Sequence, residues 1–145
     1  MRLTLNETAR FLKVPATNLS FWRRIGAIKT KGMKFEFVDV LACAVGRDLR
    51  QRKVDAEACY AAMAAVQSFS LKNLEGSFDA GRRYLVGVGD RFIPFLLTHE
   101  RLFDNPSLPL QQAVESGLPV VILDLQKAFE TLEMSLEVRG EPCKV

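Results

Sequence analysis

Thr17, Asn18 and Ser20, followed at short range by Arg23 and Arg24, form a compact group of polar donors and acceptors in a chain of 145 residues. An asparagine amide offers donors and an acceptor together, which suits the edge of an adenine. Serine and threonine hydroxyls bond bases or phosphates, and arginine forks match guanine edges or phosphate oxygens. A second group, Lys29, Lys31 and Lys34, follows around Gly32. Ammonium groups at that density suit a phosphate backbone, which fixes register without reading sequence. Thr17, Asn18 and Ser20 are therefore the base-reading candidates, and Arg23, Arg24, Lys29, Lys31 and Lys34 the positioning candidates, with double-stranded DNA as partner.

The distribution of charge points the same way. The net charge is +3, but residues 1–70 carry twelve Lys/Arg against six Asp/Glu and residues 71–145 eight against eleven, giving +6 and −3. Residues 1–37 alone hold eight basic side chains and two acidic ones. Such concentration suits a polyanion, because neutralised phosphates release counterions. A solvated basic face would give the same count.

Other chemistry is thinly supplied. His99 lies beside Glu100 and near Asp104 without a serine or cysteine elbow, as surface histidines do. Asp124 ends the apolar run VVIL, where catalytic carboxylates often lie, but is read here as the N-cap of a following helix. Gly87 and Gly89 lack the third glycine of a nucleotide loop, since Pro94 and Phe95 follow, and are read as a strand bend or turn. Cys43, Cys59 and Cys143 are odd in number, widely spaced and without a CxxC, and read as buried or incidental thiols. No catalytic centre, metal or cofactor is expected. A hydrophobic content of 48% predicts a folded protein. No run reaches the roughly 18 apolar residues of a membrane span, and Asn6, Glu7 and Arg10 interrupt any signal-peptide core, which predicts a cytoplasmic protein.

The candidate residues must be held by short elements. Leu5, Ala9 and Leu12 fall at helical spacing after an N-cap at Asn6, predicting a helix to Lys13. Pro15 ends it and opens a second helix to Arg24, which buries Leu19 and Trp22; Gly26 stops that helix. Two short helices joined by a tight turn form a helix-turn-helix, whose second helix fits a major groove. The segment Ile28 to Phe37 reads as a small hairpin, or wing. Val38 to Arg52 reads as an amphipathic helix, and Asp55 as the N-cap of another, from Ala56 to about Val66.

The stretches ETARFLKVPATNLSFWRRIGAI and FEFVDVLACAVGRDLRQRKVDAEAC resemble the MerR-type winged-helix regulators over residues 3–65. Phe21-Trp22, Arg24, Ile25-Gly26 and Ala27-Ile28 occupy the places of that family's aromatic pair, basic residue, Ile-Gly and apolar pair. Asp39-Val40 resembles the opening of its third helix, and Val54-Asp55-Ala56-Glu57 the step into its fourth. Relatives usually have a tyrosine where Phe21 stands, so Phe21 is not a phosphate-contact candidate. An excisionase-type winged helix matches residues 3–41 almost as well. The resemblance implies a sequence-specific transcriptional regulator binding an inverted-repeat operator as a dimer.

Residues 67–82 read as a linker or irregular connection between a first domain, 1–66, and a second, 83–138. In the second, two apolar runs separated by Asp90 form a hairpin. A helix from Ser107 to Gly117, a strand in LPVVILDL and an amphipathic helix in QKAFETLEMSLEV follow. The expected fold class is α+β: an N-terminal winged helix-turn-helix domain and a small α/β domain of order β-β-α-β-α. So small a sheet would leave edges or an apolar face bare, which argues for a homodimer through the C-terminal domain. That domain could equally bind an effector, whose identity is not legible, or recruit a protein partner. Under the last reading the chain is an architectural or assembly DNA-binding protein of the phage excision or packaging type. A third reading is a protein-interaction module that uses a winged helix without DNA.

Overall fold

Thr4 and Glu7 cap each other at the start of the first helix. The Thr4 hydroxyl accepts the Glu7 N–H and the Glu7 carboxylate accepts the Thr4 N–H, both at 3.1 Å. This capping box sets the start of α1 (Leu5–Leu12), so Asn6, the expected cap, lies inside the first turn. The computed structural model describes residues 1–89, 91, 92, 96–104, 106, 108–138 and 140. The other helices are α2 (Ala16–Arg24), α3 (Phe37–Gln51), α4 (Ala56–Gln67), α5 (Leu71–Asp79), α6 (Leu108–Glu115) and α7 (Leu125–Val138), with a π-helical turn at Glu100–Asp104. Pro15 stands at the N-cap of α2 rather than inside it.

Helices α3 and α4 pack closely because α3 carries a glycine at the contact. A β-carbon at Gly46 would run into the thioether of Met63, a fully buried side chain of α4. The helical segments anticipated at Val38–Arg52 and Ala56–Val66 thus exist with ends shifted by a residue. Asp55 occupies the N-cap position of α4 but makes no side-chain capping bond.

The segment expected to be a linker is a correction. Residues 71–79 form α5, whose N-cap Ser70 accepts the Asn73 N–H at 3.1 Å. Leu71, Leu74 and Phe78 recur at helical spacing and turn towards the core, Leu74 being fully buried. Phe78 meets the α7 ring of Phe129 edge-on at 5.1 Å, and Phe37 of α3 meets the same ring at 4.9 Å. One core therefore runs from Leu3 to Leu136 and joins the two halves of the chain.

The sheet is antiparallel throughout and centred on β1 (Arg83–Val88). Along one side β1 pairs with β4 (Val120–Asp124), from Tyr84↔Asp124 to Val88↔Val120. On the other it pairs with β2 (Arg91–Phe92) at Gly87↔Phe92 and with β3 (Leu97–Thr98) at Tyr84↔Leu97, so the anticipated hairpin is present. Asp90, Pro94, Phe95 and Ser107, which entered the sequence reading, lie outside the described residues. Gly87 is required by closeness: a β-carbon there would strike the ring of Phe92. Of the two expectations for the sheet, bare edges or a bare apolar face, the face is corrected. Leu85 and Leu123 face the main core with α7, while Val86 and Leu97 face Leu102 and Leu110 of the opposite layer. The molecule is α+β, and no helix among the described residues is long and apolar enough to cross a membrane.

Candidate nucleic-acid interface

The turn between α1 and α2 is closed by backbone geometry at Lys13. Its left-handed conformation (φ 56°) ends α1, the Val14 N–H bonds the Ala9 carbonyl at 3.0 Å, and Val14 itself is buried. Arg47 of α3 donates to the Leu12 carbonyl at 2.9 Å and ties the end of α1 to the body. Leu19 and Trp22 anchor α2 in the core, as expected.

With that face inward, α2 exposes Thr17, Asn18, Ser20, Phe21 and Arg24. Thr17, Ser20, Phe21 and Arg24 stand at i, i+3, i+4 and i+7 and so share one helix face, with Asn18 at its flank. Phe21 is 39% exposed, and the Arg24 guanidinium lies 5.3 Å from its ring centroid. That stacking leaves a planar cation on the outward face of the helix.

Arg23 is different from its neighbour. It is half-buried, its guanidinium lies 5.6 Å from the centroid of the buried Phe35 ring, and its Nη2 donates to the Met33 sulfur at 3.6 Å. Arg23 therefore spans from α2 to the loop. The spacing contains the signal, since Arg23 follows the buried Leu19 by four residues and shares its side of the helix.

The segment expected as a hairpin has no strand pairing of its own. Phe35 bridges to Leu3 instead, with N–H to carbonyl bonds of 2.9 and 2.7 Å in the two directions. Before it, the Ile28 N–H bonds the Trp22 carbonyl, Thr30 donates to the Gly32 carbonyl at 2.8 Å, and Gly32 takes a φ of 75°. The loop 29–34 so formed exposes Lys29, Lys31 and Lys34, and through Arg23 it lies against the end of α2. All eight candidate residues thus belong to one continuous piece, α2 and the adjoining loop.

Gln67, the last residue of α4, was not singled out by sequence. Its Oε1 accepts the Lys29 N–H at 2.9 Å, and its Nε2 donates to the Lys29 carbonyl at 2.9 Å and to Asp39 Oδ1 at 2.6 Å. The other Asp39 oxygen accepts the Glu36 N–H at 2.9 Å. Burial raises the Asp39 carboxyl above its ordinary range, opposed by the hydrogen bonds from the Glu36 backbone and Gln67 and by nearby Lys31.

The remaining titratable candidates stay apart from this surface. His99 and Asp104 approach at 3.8 Å, both exposed. Asp124 Oδ1 accepts the Lys127 N–H at 3.0 Å as the cap of α7, and its Oδ2 pairs with Arg82 at 2.6 Å. Cys43 and Cys59 are separate buried thiols whose ionisation burial opposes, and Cys143 lies outside the described residues. Among the described residues no group of three or more His, Cys, Asp or Glu is placed to hold a metal ion.

The fold and this surface define an α+β protein with an exposed cationic helix-and-loop face. No protein-family model matches the chain, and no curated protein matches it.

Proposed function

We propose that the protein is a sequence-specific DNA-binding regulator of transcription, resembling the MerR type, in which α2 enters the major groove and the loop 29–34 grips the flanking backbone. The observation that carries this reading is the exposure of Thr17, Asn18, Ser20 and Arg24 on α2 and of Lys29, Lys31 and Lys34 on the loop that Arg23 ties to it. Short hydroxyl and amide side chains fit base edges, and the surrounding cations fit phosphates. Arg23 holds the helix and loop in mutual register and contributes its charge from behind that surface. The partner is double-stranded DNA, and the operator is an inverted repeat bound by a homodimer, so that two α2 helices reach half-sites about 34 to 36 Å apart.

Selection of bound sequences from a random duplex pool, at two salt concentrations, tests this. A spaced, two-fold symmetric consensus is the expected result. Salt-sensitive binding without enrichment would instead favour an architectural or assembly factor that takes its specificity from a partner. Absence of binding at both salt concentrations would remove DNA as the ligand.

A further inference from the structure

The cationic loop is fastened at both ends, by different means. At Phe35 the fastening is a backbone bridge to Leu3. At Lys29 it is a side chain, the Gln67 amide, which meets both the N–H and the carbonyl of Lys29 as a neighbouring strand would. The second amide hydrogen of Gln67 goes to Asp39, so both donors and the acceptor of the amide are engaged. A donor and an acceptor are required side by side, at the reach of two methylenes. Glutamate in this place would keep one oxygen on the Lys29 N–H but set the other, an acceptor in place of Nε2, against both the Lys29 carbonyl and the Asp39 carboxylate, and alanine would leave the Lys29 backbone to water.

We infer that Gln67 is a positioning residue for DNA binding: by clamping the Lys29 backbone it holds Lys29, Lys31 and Lys34 where they meet phosphates together with Arg24. This rests on the DNA-binding reading above. The clamp adds no charge to the interface; it removes freedom from charges that would otherwise be ordered at the moment of binding, a cost that weakens association. Because Gln67 closes α4, the clamp also fixes the loop to a helix packed on α3, so the loop moves with the body.

The test uses full-length wild type, Gln67→Ala and Gln67→Glu, each checked for an intact thermal transition, with one duplex titrated across salt concentrations. Gln67→Ala should weaken binding about tenfold at low salt and lower the slope of log K against log salt by about 1 or more, as loop lysines cease to displace counterions. Gln67→Glu should weaken it further. The loss in Gln67→Ala should be shared with Lys31→Ala, so that the double variant is little worse than either single one, and should add to Arg24→Ala. General destabilisation would not produce that pattern. Amide hydrogen exchange at Lys29, which needs no DNA, should quicken in Gln67→Ala. An unchanged slope in Gln67→Ala, or full additivity with Lys31→Ala, overturns the positioning role while leaving DNA binding intact. A wild-type protein that protects the Lys29 amide yet binds no duplex sinks both readings.

Discussion

The two halves of the chain both expose large apolar side chains, but in opposite electrostatic company. Around α2 and the loop these are Phe21, Ile25 and Met33, interleaved with Arg23, Arg24, Lys31 and Lys34. In the later half they are Val114, Leu118, Met134 and Val138, beside Glu115, Glu133 and Glu137. Apolar exposure alone therefore says little about a partner. Its setting does: the cationic company of the first surface suits an anionic partner, and the acidic company of the second disfavours one. Beneath these surfaces the distinction disappears, because one core joins the halves.

The largest expected effect tests that shared core. Phe129 of α7 holds the rings of Phe37 and Phe78 from α3 and α5. Phe129→Ala should cost about 3–5 kcal/mol, as deletion of a buried aromatic side chain does. Trp22 is the only tryptophan and sits in α2, so its fluorescence reports unfolding at the opposite end of the sequence. In denaturant, that signal and the circular dichroism should shift together in the variant. A Trp22 transition left at the wild-type midpoint would break the molecule into two independently stable parts.

Next in size come substitutions that separate reading from gripping. Asn18→Ala should cost about 1–3 kcal/mol of discrimination between selected and unselected duplexes, leaving the salt slope near that of wild type. Arg24→Ala should weaken binding to all duplexes alike and lower the slope by about 1. Glu137→Gln, on the acidic surface, should change neither. Effects of equal size and opposite sign, Arg24→Ala weakening and Glu137→Gln strengthening binding in parallel titrations, would show that net charge rather than the α2 surface governs binding.

A subtler contrast is that the basic half keeps a half-buried carboxylate, Asp39, beneath its loop. The Asp39 carboxyl is raised above its ordinary value of 3.8, chiefly by burial. The folded protein thus holds this proton more tightly than the unfolded chain. The associated stability is fully present below the unfolded value and is lost as pH rises through the raised folded one. Asp39→Asn removes the titration. The stability of wild type relative to Asp39→Asn, from denaturant midpoints, should therefore decline from about pH 4 upward, opposite to the trend for a salt-bridged carboxylate. A rise over that range would mean that the bonds from Glu36 and Gln67 outweigh burial.

What could be read from sequence followed the range of the interaction. The positions of α1 to α4 were legible because helical spacing, Pro15 and Gly26 act within a few residues. Helix α5 was hidden by Gly76 and its polar residues, although Leu71, Leu74 and Phe78 keep the period. The Leu3–Phe35 bridge and the Gln67 clamp were not legible, since backbone pairing across 32 residues and a side-chain-to-backbone bond across 38 leave no periodic trace. The exposed side chains of α2 and the loop were therefore legible, but the devices that shape the loop were not. The hydrophobic pattern of the sheet gave its strands, whereas the layer formed by Leu102 and Leu110 needed the topology.

The smallest effect concerns how each half ends its helices. The same backbone motif closes α1, α3 and α6: Lys13, Lys53 and Gly117 adopt φ of 56°, 61° and 72°, and the following N–H reaches back to Ala9, Leu49 and Ala113. Glycine enters this conformation freely, whereas a side chain there meets steric resistance of about 1–2 kcal/mol. The basic half nevertheless carries lysine at both of its sites. A lysine ammonium at a helix C-terminus recovers about 0.3–1 kcal/mol from the helix dipole, which offsets only part of the strain. Lys13→Gly and Lys53→Gly should each raise stability by roughly 0.5–1 kcal/mol, and Gly117→Lys should lower it by a similar amount, as read from denaturant midpoints. Lys13 lies in the turn that leads into α2, so Lys13→Gly should also weaken duplex binding slightly at low salt, and Lys53→Gly should not. If both glycine variants gain stability and only Lys13→Gly loses affinity, the lysine at the α1–α2 turn is held against its backbone preference by the DNA-facing surface. If neither loses affinity, the charge at these caps serves the helices alone.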